Sequence, residues 1–244
     1  LLPFRIIAGH DITARTADFF LYKDNPPFRG YINFSPEVAP SMDERLTTVL
    51  NEAKNNIFFY VCSADGDIAR LKTGIKSLNE ALKTVKNPKV TYTYDEYSNC
   101  SHYSLVPFGV PGALYGIFSV YKPISPIEYQ DKIATLTEGY TKYLADKYDV
   151  IKQDLGISMP IRINDIKAIE TAILKNSAYE DLKELSKLVK SSYPKTMIGE
   201  YYEALYYEMK GDYSKAKKIY LNSYSLNPVG EYTKDFMISH AEKL

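Results

Sequence analysis

Apolar and polar positions divide the chain into two differently patterned halves. In residues 1–125 four runs are nearly continuous in Ile, Val, Phe and Tyr: FRIIA (4–8), GYINFS (30–35), NIFFYVCSA (56–64) and KVTYTYDEY (89–97). The first three lack the strict alternation of a one-sided sheet, which predicts strands covered on both faces. Between them lie stretches with helical spacing: Ile12–Lys23, Asp43–Ala53 and Ile68–Val85, the last with Leu71, Ile75, Leu78 and Leu82 on one stripe. Alternating strands and helices predict a mostly parallel α/β sheet. Residues 126–244 carry helical spacing throughout. Ile127–Leu155 reads as one long helical stretch ended by Pro160, and helices follow near 163–175, 178–192, 197–210, 213–226 and 230–243. The expected division is an α/β domain over 1–125, a connecting helix over 126–162 and a helical region over 163–244.

Composition narrows the function classes. Of 244 residues 45% are apolar, enough for a substantial core. Lys+Arg and Asp+Glu both number 30, so no net charge favours nucleic acid as a partner. Apolar runs are short, and no membrane span is expected. No His/Cys/Asp cluster has ligand spacing and no Gly-rich phosphate loop is present, so neither metal nor cofactor is expected. The chain opens on LLPFRIIAGH without Met, close to a core strand, and reads as a piece of something longer. Tyr numbers 23 against no Trp, and many tyrosines fall beyond residue 120. Their apolar rings and polar tips suit half-exposed positions between packed helices.

YYEALYYEMKGDYSKAKKIYLNSYSLNP (201–228) resembles a tetratricopeptide repeat. Ala204 and Ala216 allow two helices to approach, Gly211-Asp212 makes the turn, and Tyr207, Tyr213, Tyr220, Ser223, Leu226 and Pro228 hold the remaining positions. A more degenerate unit fits 163–194. The plainer alternative is a helical bundle that caps the α/β domain. Either form needs neighbours to bury its faces, and a protein partner on these helices is one expectation.

Taken in order, IIAGHDITA (6–14), PFRGYINFSP (27–36), FFYVCSAD (58–65) and SHYSLVPFGVPGALYGIF (101–118) resemble the esterase D-type, siderophore-esterase-like α/β-hydrolases, here with a helical C-terminal extension. The resemblance implies a nucleophile on a tight strand-to-helix turn, a triad acid after the third strand and a triad histidine in the last piece. It places the general base at His102 and the acid at Asp65 or Asp67. Asp65 is favoured because it ends the strand more directly, and Asp67 suits the cap of the following helix. The backbone N–H of Ile12 would be one oxyanion donor. The other would come from a strand before the elbow, which this chain does not contain.

The nucleophile departs from the pattern. Aligning G-H-S-x-G-G with Gly9-His10-Asp11-Ile12-Thr13-Ala14 puts Asp11 in the serine slot and replaces both later glycines. A β-branched Thr13 suits a crowded turn poorly. Two readings stay open. In one, Asp11 is a carboxylate nucleophile acting on a small ester-type ligand. In the other, favoured, the elbow is degenerate, and an Asp11–His102 ion pair takes the imidazole out of service as a base. Cys62 and Cys100 both fall near the site edge of the sheet. Bonded, they would tether the acid and histidine loops and indicate a periplasmic or secreted location; as free thiols, the favoured alternative, they carry no such meaning.

Overall fold

The computed structural model describes residues 4–244. They form two compact units: residues 4–120 with Gln153–Ile157, and Tyr121–Lys152 with Ser158–Leu244. The first unit is built on a sheet of four strands, β1 (Ile6–His10), β2 (Gly30–Phe34), β3 (Ile57–Gly66) and β4 (Val90–Ser101), all parallel and ordered β1-β2-β3-β4. Helices α1 (Ile12–Asp18, continued by a 3-10 turn over Phe19–Tyr22), α2 (Met42–Asn51) and α3 (Ala69–Leu82) make the crossovers, and α4 (Leu105–Ile117) follows β4. This is an α/β fold, as the strand–helix alternation predicts.

Both sheet faces are covered, which is why the strands read as continuous apolar runs. Tyr31, Ile57, Phe59 and Val61 pack with Met42, Leu46 and Leu50 of α2 and Leu71, Ile75, Leu78 and Leu82 of α3. The opposite face is met by α4, where the absence of side chains at Gly109 and Gly112 brings the helix against Phe34, Cys62, Tyr60 and Tyr97. The sequence pattern does not announce α4. It contains Pro107 and Pro111, and both glycines weaken helical propensity. Pro107 sits in the first turn, where a missing N–H is harmless, and Pro111 is carried inside the helix by packing on the sheet.

Three further boundaries differ from expectation. β3 runs to Gly66, two residues beyond the apolar run. β4 runs to Ser101, four residues beyond the run that predicts it. The stretch 127–155 is not one helix: α5 (Pro126–Glu128) passes into a π-turn over Tyr129–Ile133, the chain turns through Gly139 at φ +76°, and α6 (Tyr140–Leu155) begins afresh.

The second unit continues with α7 (Ile163–Lys175), α8 (Glu180–Ser192), α9 (Met197–Met209), α10 (Tyr213–Asn222) and α11 (Lys234–Glu242). Contacts run α7–α8, α8–α9, α9–α10 and α10–α11, a sequential stack. Ala204 and Ala216 are fully buried in the α9 and α10 faces. Gly211 turns between these helices at φ +80°, a left-handed conformation that favours glycine, and Asp212 caps α10 through Lys215 N–H. Tyr140, Tyr202, Tyr220 and Tyr232 of this unit are fully buried, more deeply than their type suggests, whereas Tyr213 and Tyr224 are exposed. Several of the unit's tyrosine hydroxyls reach half-buried acids: Tyr201 and Tyr202 donate to Glu170 at 2.9 and 3.1 Å, and Tyr220 donates to Glu208 at 2.9 Å. Among the described residues no helix is long and apolar enough to cross a membrane.

Candidate functional site

The C-terminal ends of β1, β3 and β4 deliver three side chains to one place. This is the end at which open α/β sheets place ligands. β1 runs through His10 into Asp11, which has φ 56° and ψ −124°. That backbone conformation is strained for any residue with a side chain, at a cost of roughly 1–3 kcal/mol. Several bonds hold it. Asp11 N–H donates to Phe34 carbonyl at 3.0 Å, and Asp11 carbonyl accepts from Ala14 N–H at 3.2 Å and Glu37 N–H at 3.3 Å.

The turn is as tight as the sequence pattern implies, but it is closed differently. A Cβ on Gly9 would fall 2.5 Å from Ala14 Cα and from the Thr13 carbonyl carbon, so only glycine fits. Ala14 is the small residue on the other side of that contact and is fully buried. Thr13 is not the misfit its branching suggests. Its hydroxyl donates to His10 carbonyl at 2.6 Å and accepts from His10 N–H at 2.9 Å, stitching the turn to itself. Thr13 is exposed, so its branch is not confined by packing. Ile12 opens α1 with its side chain exposed, and its N–H belongs to the first turn, where helical donors have no intrahelical acceptor.

His102 lies in the turn after β4. Its Nδ1 is 2.7 Å from Asp67 Oδ1, and its Nε2 is 3.7 Å from Asp11 Oδ2. The first is a hydrogen bond and the second is beyond one. The side chain of Asp67 is fully buried and that of His102 is 15% exposed, whereas Asp11 is 44% exposed. Asp67 Oδ2 accepts from Ser35 Oγ at 2.6 Å and from Ala64 N–H at 2.8 Å, so both oxygens are engaged. His10 Nε2 reaches His102 carbonyl at 2.9 Å. A carbonyl only accepts, so this bond fixes the His10 tautomer with its proton on Nε2. The two imidazoles lie 4.3 Å apart, centroid to centroid, and the exposed ring of Tyr103 packs edge-on against His102.

The expected acid therefore needs correction. Asp65 does not touch His102. Its carboxylate accepts from Asn99 N–H at 2.7 Å and Cys100 N–H at 3.0 Å, and these bonds hold its carboxyl below the ordinary range. The cause is the extra length of β3. A register shift between Ala64 and Gly66 keeps Asp65 at the strand edge against β4, and the chain turns Asp67 inward one step later. Asp67 is thus the residue paired with the imidazole rather than a helix cap; α3 begins after Ile68 with no side-chain cap bond. Ser35, which braces Asp67, is not singled out by sequence reasoning, and the Ser-Pro that ends the second strand piece is its nearest signal. His10, after Gly9 in the elbow, reads from sequence only as a structural packing residue; its ring reaches the His102 carbonyl.

Cys62 and Cys100 are both buried free thiols. Burial pushes the Cys62 thiol up to about 12. They form no tether between the acid and histidine loops, and the argument from a disulfide to a secreted location has no support. Among the described residues no group of three or more His, Cys, Asp or Glu side chains is placed to hold a metal ion.

Neither a protein-family model nor a curated protein matches the chain. Solved structures do. An uncharacterised protein from Capnocytophaga ochracea DSM 7271 superposes with a TM-score of 0.86 at 26% identity, covering 100% of this chain and 70% of that one. An IroE-like serine hydrolase from Shewanella oneidensis superposes with a TM-score of 0.54 at 13% identity, covering 78% of this chain and 60% of that one. The second likeness is one of fold: the α/β architecture is shared with that serine hydrolase.

Proposed function

We propose that this chain is an esterase-like α/β-hydrolase of the esterase D type whose site has lost serine-type catalysis and retained the rest of the triad. The observation that carries the reading is the conjunction at one sheet end: Asp11 in the strained elbow conformation, with His102 held between it and buried Asp67. Asp67 would fix the imidazole with its proton on Nδ1 and its Nε2 lone pair toward the elbow, the orientation a general base needs. A serine hydroxyl there would give that proton acceptor something to act on. An ionised Asp11 carries no proton, so acyl transfer of the serine type has no first step. The Asp11–His102–Asp67 array then binds a small ester-type ligand, or none, without turning it over.

A fluorophosphonate that reacts with activated serine tests this reading. The protein as it stands should remain unlabelled, and Asp11→Ser should become labelled at position 11 only while His102 is intact. Absence of labelling in a folded Asp11→Ser variant would oppose the reading.

One observation favours a second reading. Asp11 is exposed and free of a short bond to His102, as a carboxylate nucleophile must be. In that mechanism one Asp11 oxygen bonds to the substrate carbon as the leaving group departs with the electron pair. Water, deprotonated by His102, then cleaves the ester at the Asp11 carbonyl carbon and restores the carboxylate. A single turnover in ¹⁸O-water would leave the label on Asp11.

For the helical unit, the stacked α7–α8 and α9–α10 pairs, with small residues in the α9 and α10 faces and Gly211 in the turn, support a tetratricopeptide-like arrangement. Such stacks serve protein partners.

A further inference from the structure

The helix that carries the elbow ends in a buried acid that the site does not use. Asp18, the last residue of α1, is 2% exposed. Asn33 of β2, also buried, donates from Nδ2 to Asp18 Oδ1 at 3.2 Å. The remaining oxygen of each group, Asp18 Oδ2 and Asn33 Oδ1, is buried and has no hydrogen-bond partner among the described residues. Two orphaned acceptors on two side chains already joined by one bond need a donor, and a single proton on Asp18 Oδ2 supplies it. We propose that Asp18 keeps its proton in the folded protein and donates it to Asn33 Oδ1, closing a two-bond acid–amide pair that locks the elbow helix to the sheet. Asp18 and Asn33 are then positioning residues for Asp11, independent of what the site binds or turns over.

The surroundings agree. On α1 itself Arg15 is committed to Glu37 at 3.2 Å. On α2, Arg45 lies over the ring of Tyr22 at 5.9 Å. Arg15, Arg45 and Tyr22 line a cavity of about 140 Å³ with Asp18, yet neither arginine forms an ion pair with it among the described residues. From β2, Tyr31 lies on the same strand face as Asn33 by the two-residue period, and Arg29 directly precedes the strand. The Tyr31 hydroxyl and Arg29 Nη1 are themselves buried without partners, so neither is bonded to Asp18. Burial pushes the Asp18 carboxyl up to about 8, against a smaller opposing effect of the Asn33 bond.

The linkage follows in sign. The unfolded chain releases the Asp18 proton near 3.8 and the folded protein holds it to about 8. The contribution to stability is complete below the lower value and is lost as pH rises toward the upper one, by up to tenfold in the folding equilibrium per pH unit. Asp18→Asn places a second amide opposite Asn33, reproduces both bonds and has no proton to lose.

The test is a ¹³C titration of the Asp18 side-chain carboxyl in the unsubstituted protein between pH 4 and 9, read with the Asp11–Thr13 amide resonances. Denaturant midpoints of the protein and Asp18→Asn are followed over the same range. The expected result is a carboxyl protonated at neutral pH, elbow amides that shift with the same midpoint, and a decline in stability with pH that Asp18→Asn lacks. A carboxyl that titrates near 4, or elbow amides indifferent to its titration, would overturn the proposal. The carboxyl titration stands even if the variant does not fold.

Discussion

Removing Asp67 should separate its structural role from its chemical one. Its carboxylate serves three donors: His102 Nδ1, Ser35 Oγ and Ala64 N–H. Asp67→Ala leaves all three without it. The Ser35 hydroxyl can rotate and the partly exposed imidazole can find water, but the backbone N–H of Ala64 is fixed and buried. An unsatisfied buried donor costs about 1–3 kcal/mol, and a cavity and a lost charge-assisted bond add to it, so the total should fall near 3–5 kcal/mol. Asp67→Asn behaves differently. Ala64 N–H cannot become an acceptor, so the amide must turn its oxygen toward Ala64 and Ser35 and its NH2 toward His102. The imidazole must then accept at Nδ1 and carry its proton on Nε2, facing Asp11. That exchange costs only about 1–2 kcal/mol, since each group keeps a partner. Urea denaturation at neutral pH measures both costs, and the ¹⁵N pattern of His102 reports the tautomer. If Asp67→Ala costs under about 1 kcal/mol, or if Asp67→Asn leaves the His102 proton on Nδ1, the argument from the bond network is wrong.

Other expectations concern the elbow and the helical unit. Gly9→Ala forces a Cβ into the backbone of Thr13 and Ala14, so it should cost about 1–3 kcal/mol or more, read by thermal unfolding. It should also move the Asp11 amide resonance. Thr13→Val keeps the shape and removes both hydroxyl bonds to His10, for a loss of about 1–2 kcal/mol in the same measurement. Burial raises the Glu170 carboxyl above its ordinary range, ahead of the lowering effect of its tyrosine bonds. Its stabilising contribution is therefore largest at low pH and declines as pH rises through the raised value, and Glu170→Gln should flatten that part of the stability profile. Ala216→Leu, at a fully buried position of α10, should destabilise by about 1–3 kcal/mol in urea.

The α/β alternation and most helices were legible because burial imposes periods of two and 3.6 on the chain. Asp11 and His102 are singled out by the family resemblance, through the elbow alignment and the order of the matching pieces, not by local pattern; the apolar run of the fourth strand ends at Tyr97, short of His102. Asp65 was preferred to Asp67 because strand ends are judged from the apolar run, and β3 extends past its run through a register shift made by pairing with β4. Such a shift depends on a partner strand about thirty-five residues away, which local pattern does not encode. Helix α4 was hidden for the converse reason: its prolines and glycines argue against helix locally, and packing on the sheet outweighs them. At Thr13 the branch argues against a tight turn, and the hydroxyl's two bonds to His10 exist only once the turn is closed. The Asp18–Asn33 contact joins a helix end to a strand interior, and only the folded chain brings them together.

The central claim is that the site lacks a serine-type first step and nothing else its own residues should supply. Hydrolysis of short-chain nitrophenyl esters by the protein, by Asp11→Ser and by Asp11→Ser with His102→Ala tests it most directly. The account predicts no turnover by the protein, turnover by Asp11→Ser, and its loss in the double variant. Turnover by the unsubstituted protein that disappears with His102→Ala would contradict it.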